Sequence, residues 1–153
     1  MAAPLSTLTA ELCGRKYPEV KFELTRLWIR DYKAALGYNQ AQISNDSFVP
    51  STFVGCLRDS EFMAFENLGI DLSQLLHAGQ RYSFINAARI GDTISSQTEI
   101  RRVVSKKGRH GPMVFMDFGN VFRRRAHVGV PEADMGTVIA ESTTILIVRE
   151  AQL

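Results

Sequence analysis

The chain has 153 residues, 45% of them hydrophobic and 22% charged, enough for one domain with a proper core. Its net charge of +2 is too small to argue for nucleic-acid binding. Cys13 and Cys56 form neither a CxxC pair nor a zinc site, and are expected as buried, reduced thiols.

No stretch approaches the roughly 20 apolar residues of a membrane helix, and residues 1–10 lack a basic start ahead of a long apolar run. The expectation is a cytoplasmic chain, with residues 1–10 a tail and 11–153 one domain. No metal or cofactor is expected.

Residues 20–24 read as a short strand. Leu24, Trp28, Tyr32, Ala35 and Leu36 then recur at helical spacing, and Gly37 is a natural stop. Residues 37–49 are polar and turn-like. A second helix is expected from Pro50 to Gly69, because proline suits a first helical turn. Phe53, Cys56, Leu57, Ser60 and Ala64 fall on one stripe of it, and Phe62, Met63 and Phe65 widen the apolar surface. A helix apolar on several sides is a buried one.

Beyond Leu75 the period changes to two. Gln80, Tyr82 and Phe84 alternate with Arg81, Ser83 and Ile85, and Gly91-Asp92 marks a turn. Ile94, Ser96, Thr98 and Ile100 alternate along a long strand. Lys106-Lys107-Gly108-Arg109 reads as a turn. Val114, Met116, Phe118 and Phe122 share one face of the next strand, interrupted by Asn120, which needs a partner if buried. Residues 128–136 read as a loop, and 137–149 as a β-branched final strand.

A strand, helices and then three or four antiparallel strands argue an α+β fold. The second helix is too apolar to lie outside, so an antiparallel β-sheet wrapped around a long central α-helix is expected. One such sheet leaves a face to cover, which favours a dimer.

The run Leu75-Leu76-His77-Ala78-Gly79-Gln80-Arg81-Tyr82-Ser83-Phe84, followed by Arg89-Ile90-Gly91-Asp92-Thr93-Ile94, resembles the MaoC-like dehydratases. The likeness is to their N-terminal, FAS1-like dehydratase half. Phe48-Val49-Pro50-Ser51-Thr52-Phe53 is similar to that half's approach to its central helix. The likeness covers about residues 11–149. It implies a hot-dog fold, usually paired as a homodimer, a heterodimer or a double hot dog. It implies acyl thioesters of coenzyme A or acyl carrier protein as substrates. The implied reaction is reversible addition of water to a trans-2-enoyl thioester, giving the (3R)-hydroxyacyl thioester.

That chemistry needs a base for water, an acid for the α-carbon and a donor for the enolate oxygen. Catalytic members of the family carry Asp-x-Asn-Pro-x-His after the first helix. Here residues 36–47 hold neither His nor Asn-Pro. Asp46 is the one acid there, either a surviving base or a residue capping the turn before Pro50. Asn39, Gln40 and Gln42 are possible thioester ligands.

His77 is the second weak catalytic candidate, and alternatively lines the thioester tunnel or the dimer seam. His110 and His127 read as solvated. The expected substrate contacts are Phe53, Phe62, His77 and Gln80. Met63, Phe65, Phe115 and Phe118 are channel candidates better read as core. Lys106, Lys107 and Arg109 are expected at the thioester's phosphates, and a hairpin is expected to bring Arg123 to Arg125 near them.

The leading expectation is the pocket-forming, non-catalytic partner of a MaoC-like chain that supplies Asp and His. The alternatives are an acyl-coenzyme A thioesterase using Asp59, Glu61 or Glu66 of the central helix, and a non-enzymatic acyl-thioester-binding module.

Overall fold

Alternating burial along three long strands builds the frame of the computed structural model, which describes residues 4–109, 111–126 and 136–150. The strands β3 (Thr93–Gly108), β4 (Gly111–Ala126) and β5 (Val138–Arg149) pair antiparallel in sequence order. Two shorter strands extend the sheet: β1 (Val20–Glu23) pairs with β3, and β2 (Leu75–Phe84) pairs with β5. The result is one five-stranded antiparallel sheet in the order β1-β3-β4-β5-β2. His110, His127 and loop residues 128–135 lie outside the described residues.

Val114, Met116, Phe118 and Phe122 turn to the inner face, as their period of two requires. The helices α1 (Arg26–Ala35) and α3 (Asp59–Leu68) cover that face. Phe65, Ile100, Met116, Phe118 and Val148 pack beneath α3. A second cluster joins Ile29, Phe53, Leu57, Ile94, Phe122 and Ile139.

The long central helix expected from Pro50 to Gly69 is not what forms. Ser51–Cys56 winds as a 3₁₀ segment, Leu57 and Arg58 leave helical geometry, and only the ten residues of α3 are α-helical. Serine, threonine, valine, glycine and cysteine are weak helix formers, and they crowd into this stretch. Gly55 also sits against β2: a Cβ there would lie 3.2 Å from the Tyr82 hydroxyl. Gly69 ends α3 in the left-handed region, φ 66°, as a C-terminal glycine should.

The residues expected as a tail partly join the core, since Leu8 is 1% exposed and packs in the cluster under α3. The cysteines differ too: both end 3₁₀ segments and both are exposed, free thiols.

The triplet Arg123 to Arg125 is consumed by structure. Arg124 makes a buried ion pair with Asp92 at 3.0 Å and donates to the Ala87 carbonyl at 2.8 Å. Arg125 binds Glu19 at 2.6 Å, and that guanidinium holds the Glu19 carboxyl below its usual range. Arg123 donates to the Gly136 carbonyl. The strand register places this triplet at the base of the β3–β4 hairpin and Lys106, Lys107 and Arg109 at its tip, so the hairpin keeps them apart.

Candidate functional site

Helix α1 begins at Thr25, whose hydroxyl accepts the Trp28 amide. At about 100° per residue, Trp28 and Tyr32 face one way and Arg26, Arg30 and Lys33 the other. The Trp28 and Tyr32 rings meet Phe53 edge-on, with centroids 4.6 and 5.0 Å away. Tyr32 also donates to the Thr52 hydroxyl at 2.9 Å. This side of α1 therefore fixes the 3₁₀ segment.

The other side holds the segment in which the family's Asp and His would stand. There α2 (Gln40–Ser44) forms within the stretch expected as turn. Asn39 and Gln42 cap it reciprocally, so two of the three amides considered for thioester binding serve their own backbone. Lys33 is fully buried. Its Nζ donates to the Asn45 carbonyl at 2.6 Å and lies 4.0 Å above the Phe48 ring. Asp46 is bound by Arg26 at 2.6 Å. That places its carboxylate against the face of α1 turned away from Phe53.

Under α3 lies a buried polar network. The fully buried Glu61 accepts from Asn120 Nδ2 at 2.9 Å, Thr144 Oγ1 at 3.0 Å and Arg58 Nη2 at 2.5 Å. Asn120 also accepts from Thr98 and donates to Ser142. Ser60 accepts the Thr98 amide and donates to the Pro18 carbonyl. Asn120 thus finds its partners within the chain. Asp59 and Glu66 are exposed on α3.

The strand β2 supplies the remaining candidates. A β-bulge between His77 and Gly79 shifts the register, so His77 pairs opposite Leu146 and Gln80 opposite Thr144. Both partners are inward residues, and His77 and Gln80 therefore share the inner face. Their side chains meet, His77 Nε2 to Gln80 Oε1 at 3.2 Å.

Farther along, Tyr82 stacks on Phe84 at 5.8 Å. Burial raises the Tyr82 hydroxyl's pKa, opposed by the nearby Arg58. Partial desolvation by its surroundings also raises the pKa of the Cys56 thiol, exposed as the residue is, which disfavours a reactive thiolate. An apolar cleft opens beside Phe84, lined by Leu24, Val49, Pro50, Phe53 and Ile139. Its free space is about 20 Å³, little more than one water needs.

Of the residues singled out in the sequence, His77 and Gln80 come together, and Phe53 lines the cleft. Phe62 lies exposed on α3, edge-on to Phe65 and beneath Arg58. Phe65 and Phe118 are core, while Met63 is exposed. Lys106 stacks on Phe115 on the outer face. The hairpin tip lies about 40 Å along β3 from Ile94 at the cleft. Asp46 is not brought to His77, and no His–carboxylate pair stands among the described residues.

Arg58 and Tyr82 were not legible as site residues. The three-residue spacing of Arg58 and Glu61 was the one available signal. Among the described residues no cluster of His, Cys, Asp or Glu could hold a metal ion, and no helix is long and apolar enough to cross a membrane.

The model of the family described as FAS1-like, dehydratase domain region, matches residues 11–132. A UPF0336 protein of Streptomyces coelicolor is 28% identical over 115 residues, covering 66% of this chain and 77% of its own. Among solved structures, a (3R)-hydroxyacyl-ACP dehydratase complex, HadBC of Mycobacterium tuberculosis, is similar with TM-score 0.66 and 18% identity, covering 89% of this chain and 96% of that one. A MaoC-like dehydratase of Rhodospirillum rubrum gives TM-score 0.64 and 15% identity, covering 97% and 98%. The sheet and its helical cover are thus those of the hot-dog fold.

Proposed function

Because the chain belongs to the FAS1-like dehydratase family, we propose that it is one subunit of a (3R)-specific enoyl-thioester hydratase or 3-hydroxyacyl-thioester dehydratase. It is the pocket-forming, non-catalytic subunit, and its partner is a MaoC-like hot-dog chain carrying Asp and His. One observation carries this reading. The overhang, residues 36–47 after α1, has no histidine, and its one carboxylate, Asp46, is bound to Arg26 on the face of α1 away from the cleft. Adding water to an enoyl thioester needs a base within hydrogen-bond reach of the water and an acid at the α-carbon. Among the described residues none that lines the cleft fills either role, which supports a partner that supplies both.

Two further features support the pairing. β2 lies at the end of the sheet, with one ladder edge unpaired among the described residues. Leu76, Phe84 and Ile85, at 47, 48 and 54% exposure, line that strand and its end. An edge strand with exposed apolar side chains favours pairing with another chain. The similar HadBC structure is itself a complex of this kind of chain. The size of the cleft fits as well, since about 20 Å³ holds no acyl group and a second chain would have to complete the cavity. Phe53 then forms the wall for the acyl group, with Phe62 toward the seam. Lys106, Lys107 and Arg109 are the cations available to coenzyme A or carrier phosphates.

The thioesterase reading is weaker. Glu61 is the central-helix acid in the right layer, but both of its oxygens are engaged and it is closed off from solvent.

The test is co-expression with a MaoC-like chain containing Asp-x-Asn-Pro-x-His. A stable one-to-one complex with hydratase activity is expected. A monodisperse homodimer that is fully active without a partner overturns the reading.

A further inference from the structure

The bulge in β2 has a chemical consequence. Regular pleating would put His77 and Gln80, three residues apart, on opposite faces. The extra residue at the bulge puts both on the inner face and lets the imidazole meet the amide at 3.2 Å. Gln80 Oε1 has only lone pairs to offer, so Nε2 carries the proton and donates. In the neutral ring Nδ1 is then a pure acceptor, and it belongs to an exposed side chain on the free strand of the sheet.

A pure acceptor discriminates between ligand groups. It cannot bind a thioester carbonyl, a carboxylate or a phosphate, all of which only accept. It can bind an N–H or O–H. On the arm that thioesters of coenzyme A and of carrier protein share, pantetheine, the donors are two amide N–H groups and one hydroxyl.

Position along the sheet agrees. His77 is about 20 Å along β2 from Phe84 at the cleft. The register aligns His77 with Leu146, Met116 and Val103, and Lys107 lies about 13 Å beyond Val103 toward the hairpin tip. Along the strand direction, apolar cleft, imidazole and basic tip therefore follow one another in the order acyl group, arm, phosphates, with β3 three strands, about 14 Å, to the side of β2.

We infer that His77, held by Gln80, is a substrate-positioning residue that accepts a hydrogen bond from the outer part of the pantetheine arm, its second amide or its hydroxyl. This rests on the acyl-thioester reading above.

The test uses the active two-chain complex and two substrates. One is a trans-2-enoyl-coenzyme A. The other is the matching N-acetylcysteamine thioester, which keeps the amide next to sulfur and lacks the outer arm. His77→Ala is expected to raise KM for the coenzyme A substrate about three- to tenfold, the range of one neutral hydrogen bond, with kcat within about twofold. KM for the short thioester stays unchanged. Gln80→Leu gives the same pattern by freeing the ring.

Equal effects on both substrates, a fall in kcat alone, or no effect overturns the inference while leaving the subunit reading intact. A wild-type complex that neither binds nor turns over either thioester removes both.

Discussion

The polar network under α3 and the polar residues of β2 have similar chemistry and opposite fates. Beneath the helix, Glu61, Asn120, Thr98, Thr144 and Ser142 satisfy one another without leaving the chain. On β2, the side chains of His77 and Gln80 have only each other among the described residues, beside exposed apolar neighbours and an open ladder edge. The hydrogen bonds that join Glu61, Asn120, Thr98, Thr144 and Ser142 close within one chain, and the edge stays open. A buried polar group costs too much unless it is paired. An exposed one costs nothing until a partner or ligand arrives. The closed network is thus a device for holding α3 over the sheet, and the open strand is where the proposed partner and thioester would bind.

Removing a network member should strike the interior hardest. Glu61→Ala strands the Arg58 guanidinium and the Asn120 amide, and is expected to cost about 3–5 kcal/mol in urea unfolding. A loss below about 1 kcal/mol would mean that the network does not hold α3. Asn120→Ala should cost less, about 1–3 kcal/mol. Combined with Glu61→Ala it should cost well under the sum, because the two share one hydrogen bond; additive losses would deny the coupling.

At the edge the pattern reverses. Leu76→Glu with Ile85→Glu should shift the stability of the isolated chain by no more than about 0.5 kcal/mol. Size-exclusion chromatography with the partner should nevertheless lose the complex peak. A complex that survives would place the interface elsewhere.

The smallest effect concerns Glu19. Its folded pKa is lowered from 4.5, chiefly by the Arg125 hydrogen bond. The unfolded state therefore binds a proton first as pH falls. The stabilisation is present above about pH 4.5 and is lost as pH drops through the lowered folded value. Glu19→Gln should match wild type in strong acid and be slightly less stable at neutral pH. A gap that widens on acidification would contradict the assignment.

The sheet was legible in the sequence because its signal is local. Ile94, Ser96, Thr98 and Ile100, like Val114 to Phe122, alternate at the period of a half-buried strand, and they form β3 and β4. The helix break was not legible. Phe53, Leu57 and Ala64 suit a helical stripe, but the packing of Phe53 between Trp28 and Tyr32, and the approach of Tyr82 to Gly55, are tertiary events. Arg123 to Arg125 read as a free basic run because their partners Glu19, Asp92 and Gly136 come from other elements and from across the hairpin. Lys33 gave no sign of burial, since its partner is a backbone carbonyl. In the site, the missing histidine of the overhang could be read directly, as an absence of a residue type. The pairing of His77 with Gln80 could not, because at three residues' spacing a regular strand would separate them and the bulge that unites them has no strong local code.

The most direct test of the incomplete site is to mix the purified chain with a trans-2-enoyl-coenzyme A and follow the conjugated enoyl absorbance, before and after adding a MaoC-like chain with Asp and His. No loss alone, followed by turnover once the second chain is present, is the expected result. Clear turnover by the chain alone would contradict it, and would mean that this chain assembles its own acid and base.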